Sequence, residues 1–470
     1  MFYYSTNHTA ARASLREAVV RGLAEDRGLY MPEVIKQLPQ SFWDDIANLS
    51  FQEVAYRVAD AFFGEDVKAD ALRRIVNDTL SFDVPVLKVE ENIYSLELFH
   101  GPTLAFKDVG ARFMARLLRY FAPADGGSKV IVLVATSGDT GSAVGSAFHN
   151  VPGLDVTILY PEGKISPLQE KQLSTFDGNV RALKVKGTFD DCQKLVKTAF
   201  TDNELRAKLR LSSANSINIS RLLPQSFYYM YSSLAVRARS WGDNKIENPA
   251  IICVVPSGNF GNLTSGLIAR EMGAPITGFV AATNSNRTIP DWIATGDYKA
   301  RPSVETYANA MDVGAPSNYE RIQAMYSLEQ VRSMFASYWL DNDGIIDSIK
   351  NCYEKTGYTI DPHGAVGWKA WSDIRGGAME ALKNGTKNDF SKPGLTPNLP
   401  SWADKVIGKE AVGIILETAH PAKFGATVQK ATGQSPSIPD RLEKVMKLED
   451  KAIPMENSYE QFKDWLLANL

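Results

Sequence analysis

Cysteine is scarce in this 470-residue chain: Cys192, Cys253 and Cys352 are the only three, and they lie far apart. An odd, scattered set excludes a disulfide framework and a cysteine-built metal centre, and it fits a reducing compartment. The five histidines are also scattered and include no His-x-x-x-His pair, so a metal enzyme is not expected. Neither sign of charge dominates, with 51 Lys and Arg against 54 Asp and Glu, a net of −3. There is no basic excess to hold a nucleic-acid backbone. No apolar run approaches the roughly 18 residues that a membrane helix needs. Met1-Phe-Tyr-Tyr-Ser has no basic region followed by an apolar one, so no secretory signal is expected. No internal repeat of short period is present. What remains is a cytoplasmic chain of ordinary composition, 44% hydrophobic and 22% charged, without nucleic-acid or membrane partners. At this length it should divide into two or three domains.

The richest stretch is His100-Gly-Pro-Thr-Leu-Ala-Phe-Lys107-Asp108. It follows a short alternating run, Ile93 to Phe99. It precedes Val109 to Phe121, where Phe113, Met114, Leu117, Leu118 and Phe121 recur at helical spacing with Arg112, Arg116 and Arg119 opposite. Gly101-Pro102 is turn chemistry, so the pattern reads strand, turn, helix, with Lys107 at the helix entrance. A cation is unfavourable there. Partly desolvated among Leu104, Ala105 and Phe106, Lys107 would have a depressed pKa and could form a Schiff base with a carbonyl. The plainer alternative is a surface lysine with a buried stem.

Continuous apolar runs mark buried strands at Lys129 to Ala135, Ala250 to Val255 and Ile276 to Ala282, and Leu154 to Tyr160, Val180 to Val185 and Ala411 to Leu416 read as further strands. Helical patterns alternate with them, which implies βαβ units and parallel sheets. Residues 1–90 read as mainly helical, with Ser14-Leu-Arg-Glu17 as a capping box and Ser50-Phe-Gln-Glu53 repeating the pattern. Residues 284–345 read as polar and helical, 383–400 as an exposed loop, and the chain from 435 as a charged tail with a closing helix.

Three loops at strand ends carry polar or Gly-rich sequence. Ser257-Gly-Asn-Phe-Gly-Asn262 opens a helix and offers backbone N–H groups and a helix dipole to a fixed phosphate. No Lys or Mg²⁺-ligating Ser follows it, so it is not a nucleotide-hydrolysis loop. Thr136-Ser-Gly-Asp-Thr-Gly141 has the same strand–loop–helix layout, or is simply a tight turn. Asn215, Ser216 and Arg221 crowd a segment suited to a phosphate or carboxylate, or to a helix cap. Glu417 and Thr418 fall at the carboxyl end of the last strand, where ligands of open α/β sheets gather. A phosphate cradle together with a reactive lysine points to pyridoxal phosphate.

The motifs around Lys107, Ala135 to Ala143, Ser257 to Asn262 and Thr418-Ala-His-Pro-Ala-Lys-Phe424 also resemble the long-chain subgroup of the threonine synthase family, in the right order and over nearly the whole chain. The resemblance implies an α/β fold of the tryptophan-synthase-β-like PLP class (fold type II), with two parallel-sheet domains and a mainly helical N-terminal domain. The division would be 1–90 for the N-terminal domain, 91–110 with 230–435 for the large PLP-binding domain, 111–229 for the small one and 436–470 for the tail.

It further implies conversion of O-phospho-L-homoserine and water to L-threonine and phosphate, in a monomer or homodimer. Lys107 would carry the cofactor and act as acid and base. Ser257, Gly258, Asn259, Phe260, Gly261 and Asn262 would hold the cofactor phosphate, and Thr418 the pyridine nitrogen. Ser137, Gly138 and Thr140 would receive the substrate carboxylate, and Asn215, Ser216 and Arg221 the leaving phosphate. Asp139 would sit near the cofactor's phenolic oxygen, where other fold-type-II enzymes often have Asn. Its role stays open, although the subgroup shares the Asp. Two rivals share the same loops: a phospholyase releasing 2-oxobutyrate, and a non-catalytic binding or regulatory protein, for which an aldehyde-binding lysine would serve no purpose.

Overall fold

The computed structural model describes residues 1–122, 129–243, 246 and 248–470. Two parallel sheets dominate it. The larger runs Gly394–Leu395, Phe335–Trp339, Gly278–Thr283, Ala250–Pro256, Ala411–Glu417, Ile93–Glu97, Val86–Glu90. It is parallel throughout except at its two edges, where the outermost strand pairs antiparallel with its neighbour. The smaller sheet runs Ile453–Glu456, Val180–Lys186, Leu154–Pro161, Val130–Ala135, Arg210–Ser213 and is wholly parallel. The apolar runs anticipated from the sequence form the central strands. Every residue of Val130–Ala135, Ala250–Pro256, Gly278–Thr283 and Ala411–Glu417 is buried, as strands covered by helices on both faces must be.

The Lys107–Phe121 helix links the two sheets: it follows Ile93–Glu97 of the larger and precedes Val130–Ala135 of the smaller. Its apolar face, including Phe113, Met114, Leu117 and Leu118, is fully buried. Its arginine face is not simply solvated. Arg112 donates to the carbonyls of Thr79 (2.9 Å) and Asp78 (2.5 Å) and to Ser81 Oγ (3.0 Å), and so caps the carboxyl end of Ala69–Thr79.

The N-terminal region packs Leu15–Arg21, Phe51–Phe63 and Ala69–Thr79 against this core, with a three-stranded antiparallel sheet of Phe2–Ser5, Ala13–Ser14 and Tyr30–Pro32 beside them. The Ser14–Glu17 capping box forms in both directions. At Ser50 only the serine half forms, because Glu53 turns to Arg57 and Arg73.

Three segments depart from the sequence pattern, one of them within 383–400, expected as an exposed loop, where Gly394–Leu395 is an edge strand of the larger sheet and Leu395 is buried. Phe335–Trp339, expected within a helical region, is a parallel strand whose side chains are all buried. Five residues are too few to display a strand period between two helices. The chain beyond 435, expected as a tail, completes the smaller sheet. Ile453–Glu456 forms its edge strand, and Phe462 and Leu466 of Tyr459–Asn469 join a buried cluster with Cys192, Leu195 and Val196. Pro454 and a single inward side chain, Met455, hid that strand, and both suit an edge position.

Close packing at the large sheet is testable at Gly278. A Cβ there would lie 2.0 Å from Trp402 Nε1, which donates to the Met334 carbonyl at 2.7 Å. Gly278→Ala should destabilise the protein by about 1–3 kcal/mol, seen as a lower midpoint in chemical denaturation. An unchanged midpoint would mean that the packing is looser than described.

Candidate active site

The loop that delivers Lys107 is fixed by its own residues. Asp108, wholly buried, accepts from the Thr103 backbone N–H at 2.9 Å and from Thr103 Oγ1 at 2.7 Å. Gly101 makes room for this: a Cβ on it would sit 2.4 Å from Asp108 Oδ2. Leu104 takes a left-handed conformation, φ 57°. The loop is then stitched to the end of Ala411–Glu417, with Phe106 N–H donating to the Thr418 carbonyl at 2.9 Å and His420 N–H to the Leu104 carbonyl at 3.1 Å. Lys107 and Thr418 therefore reach the same cavity as one rigid pair.

Lys107 keeps some accessible surface, and that surface faces the cavity. Burial pushes its amine down to about 8. Asp139 opposes the shift, while Arg221 and Lys423 add to it. An amine with this proton affinity is part neutral near physiological pH, unlike a surface lysine near 10.4.

Across the cavity lies the loop between Ala250–Pro256 and Gly261–Glu271. Phe260 is left-handed, φ 60°, and turns the chain so that the helix begins facing the cavity. The N–H groups of a first helical turn have no partners within the helix, and its dipole favours an anion. Asn262 adds a side-chain donor. Its Oδ1 accepts from Tyr228 OH (2.7 Å) and Tyr229 OH (2.9 Å), which orients the amide, and its buried Nδ2 is left without a partner. Gly258 is required for closeness, since a Cβ there would lie 2.7 Å from Met311 Cα.

Two members of the loop act as framework. Ser257 Oγ donates back to the Val255 carbonyl at 2.9 Å, and Asn259 braces Ser216 Oγ and the Ser317 N–H, both at 2.5 Å. His363 backs the cradle: its Nδ1 lies 2.6 Å from Asp361 Oδ2 and its Nε2 accepts from Ala310 N–H at 3.2 Å, the arrangement of a neutral ring protonated on Nδ1.

The remaining expected residues divide. Ser137, Thr140, Asn215, Ser216 and Arg221 line the cavity. Asn215 spends both amide atoms on Ala135, donating to its carbonyl at 2.8 Å and accepting from its N–H at 3.3 Å, so it fixes a strand end. Arg221 donates from Nη1 to the Ala214 carbonyl, while its buried Nε has no partner.

Gly138 and Asp139 are not among the lining residues. Gly138 has φ 127°, and a Cβ there would collide with Gln169 at 2.7 Å. Asp139 is turned onto Gln169 Nε2 (3.0 Å) and Lys423 Nζ (2.6 Å). Neither Gln169 nor Lys423 is singled out by residue pattern alone. Lys423 lay inside a recognisable motif, but no pattern in the chain connects it to Asp139. Glu417 points away from the cavity toward Asp361 and Glu97, and burial, then these two carboxylates, raises its pKa well above the ordinary value.

Comparison with known proteins agrees over the full length. Family models match in three consecutive parts: threonine synthase N terminus (residues 2–80), pyridoxal-phosphate dependent enzyme (79–385) and threonine synthase, C-terminal (401–466). The threonine synthase of Haemophilus influenzae is 39% identical over 469 residues, covering all of both chains. That of Escherichia coli is 37% identical over 94% of each chain. Among solved structures, the Escherichia coli threonine synthase superposes with a TM-score of 0.84 at 34% identity over all of both chains. A PLP-bound threonine synthase from Brucella melitensis superposes with a TM-score of 0.82 at 32% identity, over 99% of this chain and 98% of that one.

The depressed amine gives a direct expectation. In the full-length chain before cofactor is added, acylation of Lys107, followed by peptide mass spectrometry, should rise with a midpoint near pH 8, where burial holds the group. A midpoint above pH ~10, the solvent-lysine range, would mean that Lys107 is not desolvated.

Proposed function

The chain belongs to the threonine synthase family of pyridoxal-phosphate-dependent lyases, and on that footing we propose that its substrate is O-phospho-L-homoserine, converted with water to L-threonine and phosphate. The observation that carries the reading is the shared cavity: a depressed-pKa lysine on one wall and an anion cradle on the other. The residues fit the cofactor. The unpartnered Nδ2 of Asn262 and the first turn of Gly261–Glu271 suit its phosphate, and Thr418, which lines the cavity, would offer its hydroxyl to the pyridine nitrogen. Ser257, Gly258, Asn259, Phe260 and Gly261 would complete the phosphate loop, with Ser257 and Asn259 holding its shape.

Pyridoxal phosphate, when bound, supplies an electron sink beside the substrate's amino group. The protein supplies the proton transfers and the orientation. Lys107 Nζ would take the proton from Cα and return one there at the end; the proton lost from Cβ would be made good at Cγ as phosphate departs from it, and water would add its hydroxyl at Cβ with its other proton going to phosphate. With its proton affinity near neutral, it can both accept and return. A hydroxyl at Thr418 is neutral, so it does not hold the pyridine protonated as a carboxylate would, and the sink is tempered.

Ser137, Gly138 and Thr140 would receive the substrate carboxylate at the start of Asp139–Phe148, where Gly138 contributes only backbone. Arg221, which burial pushes down to about 10 and which therefore stays charged at neutral pH, would meet the leaving phosphate together with Ser216, on a frame set by Asn215. The site would fall between a large unit of 91–110 and 230–435 and a small unit of 111–229, to which the chain beyond 435 adds an edge strand and a helix. Three buried, unpaired cysteines support a cytoplasmic setting.

With O-phospho-L-homoserine and cofactor-loaded protein, threonine and free phosphate should appear in equal amounts. Lys107→Ala should lower kcat by at least roughly 10²–10⁴-fold. Phosphate accompanied by 2-oxobutyrate without threonine, or full turnover in Lys107→Ala, would contradict the reading.

A further inference from the structure

Lys423 takes part in none of these steps, yet it sits at their junction. It follows the strand Ala411–Glu417 of the larger sheet and is 1% exposed. Its Nζ lies 2.6 Å from Asp139 Oδ1 and donates to the Thr103 carbonyl at 3.1 Å. Asp139 begins the helix Asp139–Phe148 beside the smaller sheet, and Thr103 belongs to the loop that delivers Lys107. Gln169 Nε2 donates to the same Asp139 oxygen at 3.0 Å, and Gln172 Nε2 to the Thr103 carbonyl at 3.0 Å. A buried ammonium and a buried carboxylate thus tie both sheets to the lysine loop.

We propose that Lys423 is a positioning residue: its ammonium fixes the Asp139 carboxylate against the loop that delivers Lys107, and this pair sets when Lys107 releases its proton. Burial alone would raise the Asp139 carboxyl, but Lys423 first and then Lys107 outweigh it and hold the group below the usual carboxylate range. Lys107 faces Asp139, which favours its proton, and Arg221 and Lys423, which disfavour it.

Two other titratable groups pack here: Asp108, whose carboxyl burial raises while Thr103 and then Lys423 and Arg112 oppose, and His420. Asp108 is spent on Thr103, and burial first, then His100, pushes His420 down to about 4, so it is uncharged at neutral pH. Remove the Lys423 charge and, of the two ammonium groups that act on Asp139, Lys107 remains. Lys107 then holds its proton to higher pH. Remove both members and Lys107 loses its acidic neighbour, so the midpoint falls again.

This inference rests on Lys107 as the reactive lysine, but its test does not pass through threonine formation. The full-length chain and its variants are acylated across pH and Lys107 is quantified by mass spectrometry. The rate of pyridoxal phosphate uptake, followed by visible absorbance, gives a second readout. Lys423→Met should move the Lys107 midpoint up by about one pH unit. Lys423→Arg should leave it near wild type, and Lys423→Met with Asp139→Asn should bring it back down. If Lys423→Met fails to fold while the double variant folds, an unpaired buried Asp139 charge is the cause, which supports the pairing. An unshifted midpoint in Lys423→Met, a double variant matching the single one, or failure of both to fold would overturn the proposal. In the last case Lys423 is a structural residue only.

Discussion

The site depends on taking one ammonium group out of water without giving it an ion-pair partner of its own. Lys107 is desolvated in a cavity wall, and the carboxylate that opposes its loss of charge, Asp139, is already bonded to Lys423 and Gln169. Burying a charge unpaired is costly, and a lysine answers by losing its proton more easily. The same protein that carries this cost spends heavily to hold the group still: the Asp108 turn, the glycine at 101 and the backbone bonds to Thr418 and His420 all fix one loop.

The two sheets explain why the lysine and the cradle meet. In parallel sheets the carboxyl ends of neighbouring strands lie on one edge, and the helices that follow begin there with unpaired N–H groups. Ala250–Pro256 and Ala411–Glu417 are adjacent in one sheet, so Asn262 and Thr418 arrive together. Val130–Ala135 in the other sheet brings Ser137 and Thr140 to the same cavity. Function is therefore a consequence of strand order as much as of motif.

The sequence displayed what is local. Runs such as Val130–Ala135 are legible because a doubly buried strand must be apolar at every position. The lysine loop and the 257–262 cradle are legible because each needs several unusual residues side by side. What was hidden depends on distant pieces. Phe335–Trp339 and Ile453–Glu456 are strands only because a sheet edge or neighbour receives them. The Asp139–Lys423 pair joins residues from separate sheets. The framework roles of Ser257, Asn259 and Asn215 follow from bonds to backbone, which residue type alone does not announce.

The central claim is that one small molecule spans the cavity from Lys107 to the cradle of 258–262. A crystal structure of the protein grown with pyridoxal phosphate tests it most directly. The account predicts continuous density from Lys107 Nζ to the cofactor, with the phosphate against the first turn of Gly261–Glu271 and within reach of Asn262 Nδ2. A phosphate seated elsewhere, or a free Lys107 beside bound cofactor, would contradict it.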